Sequence, residues 1–247
     1  TLGVAFTWSA LMGTGANYLI MSFESQHHGE SELGIYSAAF TLSALFVNFI
    51  LQAMGADYYP RLSAESENNS NINRLANEQI QIGAILATPG LIATIIYAEI
   101  AIKIFYTVEF LGAVALLQVF AFGCFGRVVG WPTGFILIAK KKDKWFFFTQ
   151  TLYASLNVCF TFAALQLFGL IGTAVAFAIQ TLFGICLNRV IIGYITDFTW
   201  DSDTRKTIGL SALMLLIGYM TTKFESFTAL ILGTAALLLS TIHSTRS

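Results

Sequence analysis

Charge is scarce in this sequence. Only 11% of its 247 residues are Asp, Glu, Lys or Arg, against 56% hydrophobic residues, whereas soluble domains carry about a quarter charged residues. With a mean hydropathy of +0.70, the chain has more apolar surface than a soluble core can hide. A lipid bilayer can take up that surface, because a helix satisfies its own backbone polar groups. Strict polar–apolar alternation is also missing, which excludes barrel strands. The three cysteines, Cys124, Cys159 and Cys186, all lie inside apolar runs and read as small hydrophobes, with no redox or metal role. No P-loop, GxSxG, HExxH or paired-cysteine motif occurs, and His27-His28 is an isolated pair read as solvated. No catalytic residue, metal site, cofactor or nucleic-acid partner is therefore assigned, and the chain is not read as an enzyme. No basic leader with a small-residue cleavage site precedes the first apolar run, and Thr1 stands where a methionine would begin a complete chain. The expectation is a fragment lacking an N-terminal part.

What the chain does have is long apolar runs. A span of hydrocarbon needs about 20 apolar residues of helix. Such runs cover Gly3–Phe23, Gly34–Tyr58 (ended by Pro60), Ile80–Tyr106, Leu111–Ala139, Trp145–Phe168, Gly169–Ile195, a short Thr207–Thr222, and Phe227–Ile242. The expected fold is an all-α polytopic bundle of about eight transmembrane helices. The Asn-, Ser- and Glu-rich stretch Arg61–Gln79 is expected to be a loop leading into a helix.

The few charges are sorted by loop. Arg61 and Arg74 mark the second loop, Lys140, Lys141, Lys142 and Lys144 the fourth, and Arg205 and Lys206 the sixth, with Arg189 nearby. The loops between them hold almost no Lys or Arg, with Lys103 and Lys223 at their edges. Basic loops face the cytoplasm by the positive-inside rule, so both ends are expected there. The exported loops are short and leave no room for a catalytic platform. The KKKDK run reads most simply as a topology anchor, and more sharply as an attraction to anionic lipid headgroups.

Arg127 departs from this sorting, because it lies near the middle of the fourth run. A central arginine costs about 2.5–3.5 kcal/mol even on the lenient insertion scale, so it should face a partner or a water-filled cavity. It reads as an anion site. The alternative is a structural bond to carbonyls or to a carboxylate outside this chain. Asp57, Glu99, Glu24 and Glu109 all lie near run ends, and Glu99 is placed to pair with Lys103 one helical turn away. Gly126, Gly130 and Gly134 recur every fourth residue beside Trp131-Pro132. Small residues at that spacing admit a second helix, and the proline bends its own, so these four positions read as hinge or close-packing sites. Ser37, Thr41, Asn48 and Gln52 fall within about 60° on one face of the second helix. With Asn17, and with Ser9 and Gly13, they are candidate cavity-lining residues. Similar stripes on the fifth helix (Gln150, Asn157, Thr161) and the sixth (Thr173, Gln180, Gly184) are read as interhelical packing.

Three motifs in order carry a family resemblance. GIYSAAF (Gly34–Phe40) opens a helix that runs to YYPRLS (Tyr58–Ser63). GFILIAKKKDKW (Gly134–Trp145) closes one helix and starts the next. LNVCFTFAALQLFGLIGTAVAFAIQ (Leu156–Gln180) joins two more through a G-x-x-G-x-A turn. This succession, over about residues 1–195, resembles the O-antigen and polysaccharide flippases of the multidrug/oligosaccharidyl-lipid/polysaccharide exporter superfamily. The resemblance implies a second six-helix lobe at 1–196 followed by a terminal helix pair at 197–247. It implies flipping of a lipid-linked oligosaccharide across the bacterial plasma (inner) membrane by alternating access. The implied partners are an undecaprenyl-pyrophosphate-linked oligosaccharide, which would fit Arg127, together with membrane lipid and polysaccharide assembly proteins. A cation-coupled multidrug exporter of the same superfamily is the alternative. A membrane-embedded polysaccharide polymerase or acyltransferase stands behind both.

Overall fold

The computed structural model describes residues 2–223, and there each apolar run becomes a helix. These are α1 (Leu2–His28), α2 (Glu30–Ala64), α3 (Asn69–Ile96), α4 (Ala98–Phe105), a 3-10 turn at Val108–Gly112, α5 (Ala113–Ala139), α6 (Asp143–Phe168), α7 (Leu170–Thr196) and α8 (Ser202–Thr221). No strand occurs among the described residues, so the chain is an all-α polytopic helix bundle. Five helices are long and apolar enough to cross a membrane: α2, α3, α5 with its preceding turn, α6 and α7. The eighth run, Phe227–Ile242, and Arg246 lie outside the described residues.

Local chemistry sets the breaks. Gly29 (φ 88°) and Gly169 (φ 63°) stand between consecutive helices in backbone conformations that L side chains rarely adopt. Asn68 caps α3, its side-chain oxygen accepting from Asn71 N at 3.2 Å, and Asp201 caps α8 by accepting from Thr204 N at 2.6 Å.

Three boundaries differ from the sequence reading. Pro60 does not end α2, which continues to Ala64. Proline removes the hydrogen bond to the carbonyl four residues back, and here Ala56 and Pro60 are both exposed near the helix end, where water can replace that bond. The third run lies in a helix that starts earlier, at Asn69, and the run is broken near its end. Asn69–Gln79 is the polar beginning of α3, with only Glu65–Asn68 outside helix, and the run breaks at Tyr97 before α4. Gln118 of α5 secures the break by donating to Ile95 O at 3.1 Å.

Packing divides the bundle into two halves stacked along its length. In one half α2, α3, α5 and α7 bury Val47, Tyr58, Leu62, Ile80, Leu91, Val128 and Ile192. In the other, α1, α2, α4, α5 and α7 bury Ile20, Tyr36, Ala39, Ile102, Leu117 and Ala174. The first half ends where the basic segments meet: Lys140 Nζ donates to Asn69 Oδ1 at 2.6 Å, and Asn73 Nδ2 donates to Thr196 O at 2.7 Å. Arg61, Arg74, the 140–144 lysines, Arg205 and Lys206 are thus gathered at one end, while the Glu99–Lys103 pair sits at the other, bonded as its spacing implies. The outer surface carries Leu45, Phe49, Phe148, Leu167, Leu182 and Val190, all exposed. Such apolar exposure is stable against lipid.

A polar clamp holds α8 to α3. Asn77 Nδ2 donates to Thr199 O at 3.0 Å, Asn77 Oδ1 accepts from Asp201 N at 3.2 Å, and Gln81 Nε2 donates to Thr204 Oγ1 at 2.8 Å. Asn77 is buried, so its amide has no water to turn to. Gly218 continues the contact against Ile92 further along. Asn77→Ala should strip the bonds to Thr199 and Asp201 and lower stability by about 1–3 kcal/mol, read as a drop in thermal midpoint in detergent. Gln81→Ala, at a less buried position, should lose less.

Candidate functional site

Arg127 projects from the middle of α5 into open space between the helices. It lines a cavity of about 500 Å³ bounded by α1 (Ser9, Gly13, Asn17), α5, α6 (Gln150, Tyr153, Asn157) and α7 (Gln180, Thr181, Asn188). It also lines a second cavity of about 330 Å³ on the α2 side, with Asn48, Gln52, Gly55 and Tyr59. Trp131 and Phe135 are common to both cavities. Their rings lie 4.5 Å apart and tilted, and Tyr58 and Tyr59 pack against them at about 6 Å. The cation therefore stands at one end of an aromatic ridge that separates two cavities.

Arg127 makes no hydrogen bond and no ion pair among the described residues. No carboxylate lines either cavity among the described residues. The guanidinium keeps five N–H donors and a full positive charge, with nearby acceptors limited to neutral amides, hydroxyls and aromatic faces. An anionic group with planar or tetrahedral oxygens is what such a fork recognises.

The helices meet closely where the wall requires it. Gly126 accepts α7 so closely that a Cβ there would lie 2.7 Å from Thr181 Oγ1 and 3.1 Å from its Cβ. At Gly130 the nearest atom is Ile185 Cγ1 at 3.3 Å, and at Gly134 nothing lies within 4 Å. The row thus divides: Gly126 and Gly130 permit close approach, and Gly134 faces the cavity. Gly184 leaves room for the Tyr153 ring of α6, and Gly123 for the Phe177 ring of α7. The turn around Pro132 is tied on two sides. Tyr58 Oη donates to Pro132 O at 3.0 Å, and Asn188 Nδ2 donates to Thr133 Oγ1 at 3.5 Å.

The structure brings Asn17, Asn48 and Gln52 into the two cavities beside Arg127. Ser37 and Thr41 lie further along α2 and line neither of these cavities; Thr41 is exposed. The stripes on α6 and α7 are not packing alone. Gln150 accepts from Ser9 Oγ at 3.0 Å and Gln180 donates to Tyr153 O at 2.9 Å, yet both, with Asn157, also line the larger cavity. A side chain can bond a neighbouring helix with one polar atom and present the other to the cavity. The aromatic ridge was missed, although Arg127, Trp131 and Phe135 recur every four residues and so share a helix face.

This site belongs to a polytopic bundle whose deepest charge is a cation facing two cavities. A family model described as "Polysaccharide biosynthesis protein" matches residues 1–115. The chain is 26% identical over 170 residues to the teichuronic acid biosynthesis protein TuaB of Bacillus subtilis (strain 168), covering 68% of this chain and 35% of that protein. Its fold is similar to that of lipid II flippase MurJ in an inward closed conformation, with a TM-score of 0.60 and 18% identity, covering 92% of this chain and 52% of that one. The chain thus spans about a third of its relative and half of its structural neighbour. The chain is thus similar over part of its length to proteins of polysaccharide biosynthesis, and it shares its fold with the structural neighbour.

The glycine row yields a graded expectation. Gly126→Ala should overpack α5 against α7 and cost about 1–3 kcal/mol, seen as reduced folded yield and thermal midpoint in detergent. Gly134→Ala should leave both unchanged. Equal losses at the two positions would contradict the division of the row.

Proposed function

We propose that this chain is one lobe of a transporter that flips a lipid-linked oligosaccharide across the bacterial inner membrane, and that Arg127 binds the anionic part of the substrate. The observation that carries the reading is the unpaired Arg127 guanidinium lining two cavities in a membrane-embedded helix. The family match and the fold of the structural neighbour support a lipid-linked saccharide in general and a transporter over an enzyme. An undecaprenyl pyrophosphate or an acidic sugar supplies the anion on this reading, and polysaccharide assembly proteins act next to it. Residues 1–196 form the lobe, 197–247 the terminal pair, and both ends face the cytoplasm. Asn17, Asn48 and Gln52 bind sugar hydroxyls. Ser37 and Thr41 face the second lobe across the translocation path, and Pro132 with Gly130 lets α5 bend between states. A cation-coupled drug exporter requires a carboxylate for its cargo, and the cavities here offer none among the described residues.

The test is complementation of surface polysaccharide in a flippase-null strain by the full-length protein, with membrane levels quantified. Charge-assisted hydrogen bonds to a desolvated anion are worth about 1.5–3 kcal/mol each. Arg127→Ala should therefore reduce flipping by about one to two orders of magnitude at normal expression. Arg127→Lys, which keeps charge and loses the fork, should retain part of the activity. Wild-type polysaccharide from Arg127→Ala would refute the anion site, and lost expression would make the arginine structural.

A further inference from the structure

A second cationic site lies apart from Arg127, at the basic end of the bundle. The ends of α5 and α7, the start of α6 and the Ser66-Glu67 segment enclose a cavity of about 580 Å³. Lys140, Lys141 and Lys142 line it with Trp145 and Tyr194. Lys140 is engaged, its ammonium donating to Asn69 Oδ1. Lys141 and Lys142 make no side-chain hydrogen bond or ion pair among the described residues, and both are exposed.

The backbone at this corner is built at some cost. Lys141 has φ 54°, in the left-handed region, where it closes α5: Lys141 N donates to Ile138 O at 3.0 Å and Lys142 N to Leu137 O at 2.8 Å. Glycine is the residue that fits this position without strain. A lysine is retained there at that conformational cost, with its charge placed at the helix C-terminus and on the cavity wall. Next to it, α6 starts at Asp143, with no side chain capping its first turn. Two aromatics complete the wall. Trp145 is 40% and Tyr194 86% exposed, the disposition of rings that sit at headgroup depth.

We propose that this corner is a binding site for the phosphate of an anionic phospholipid headgroup. The Lys141 and Lys142 ammoniums contact the phosphate, Trp145 and Tyr194 lie against the glycerol and upper acyl chain, and the apolar outer face of the bundle takes the tails. A lipid is favoured over a free phosphate because the site lies at the helix ends, beside lipid-facing surface, with aromatics suited to that boundary. Glu67, which lines the same cavity, and Asp143, which opens α6 beside it, are the opposing groups and limit affinity. The site stands whether or not Arg127 binds a transported substrate.

The test is lipid retention by the purified full-length protein in detergent, measured by native mass spectrometry with phosphatidylglycerol, phosphatidylcholine, and inorganic phosphate as separate additions. Phosphatidylglycerol should be retained in preference to phosphatidylcholine, and inorganic phosphate at equal concentration should not displace it. Lys141→Gly cannot strain the turn, because it relieves the positive φ, and should weaken phosphatidylglycerol retention about fivefold, the share of one lysine at a membrane surface. Glu67→Gln should act in the opposite direction and tighten it. Unchanged retention in Lys141→Gly, or no preference for phosphatidylglycerol in the wild type, would overturn the proposal. Displacement by inorganic phosphate would show a free-phosphate site in its place.

Discussion

The demand that one cation in the middle of an apolar helix imposes shapes the middle of this protein. Arg127 stands in a helix that is apolar for most of its length, and hydrocarbon around a guanidinium is costly. Pairing with a carboxylate would discharge that cost, but no carboxylate reaches it among the described residues. The remaining solution is open, polar space. The bundle provides it on two sides, and amides from α1, α2, α6 and α7 face it.

Holding that space open requires helices that meet tightly elsewhere. Gly123 and Gly126 bring α5 onto α7, and Gly184 seats the Tyr153 ring between α6 and α7. Pro132 costs α5 a backbone hydrogen bond, and the turn around it is held by Tyr58 and Asn188 from both neighbours. Backbone irregularity at membrane depth is tolerated where neighbouring helices supply polar partners in this way. The aromatic ridge then fills the volume between the cavities, so the open space is confined to the two faces of Arg127.

The fold class and the position of the deep cation were legible from composition and run length alone, because lipid imposes so simple a rule on backbone polar groups. The helix boundaries were less so. Pro60 looked like a stop signal but sits where water can replace the missing bond, and the polar start of α3 looked like a loop because its amides (Asn73, Asn77, Gln81) point at α7 and α8, not into an apolar core. The same blind spot affected the α6 and α7 stripes. A glutamine that bonds a neighbouring helix and one that faces a cavity have the same sequence signature, and only the placement of α1 against α6 shows that Gln150 does both. Among the α2 candidates, Asn48 and Gln52 share a cavity with the cation while Ser37 and Thr41 do not, since a polar stripe fixes a face but not how much of its length is enclosed.

The central claim is that Arg127 gives a water-filled cavity a positive potential. The direct measurement is the reaction rate of a cysteine at Asn157, on the cavity wall, with small anionic and cationic methanethiosulfonates. It is made in a full-length background with Cys124, Cys159 and Cys186 replaced, and each rate is normalised to that of a free thiol in solution. The account predicts that both reagents react, that the anionic one is favoured, and that Arg127→Ala removes the preference. A cysteine at Leu182, on the lipid-facing side of α7, should stay unreactive. An unreactive Asn157 position, or a preference unchanged by removing Arg127, would contradict it.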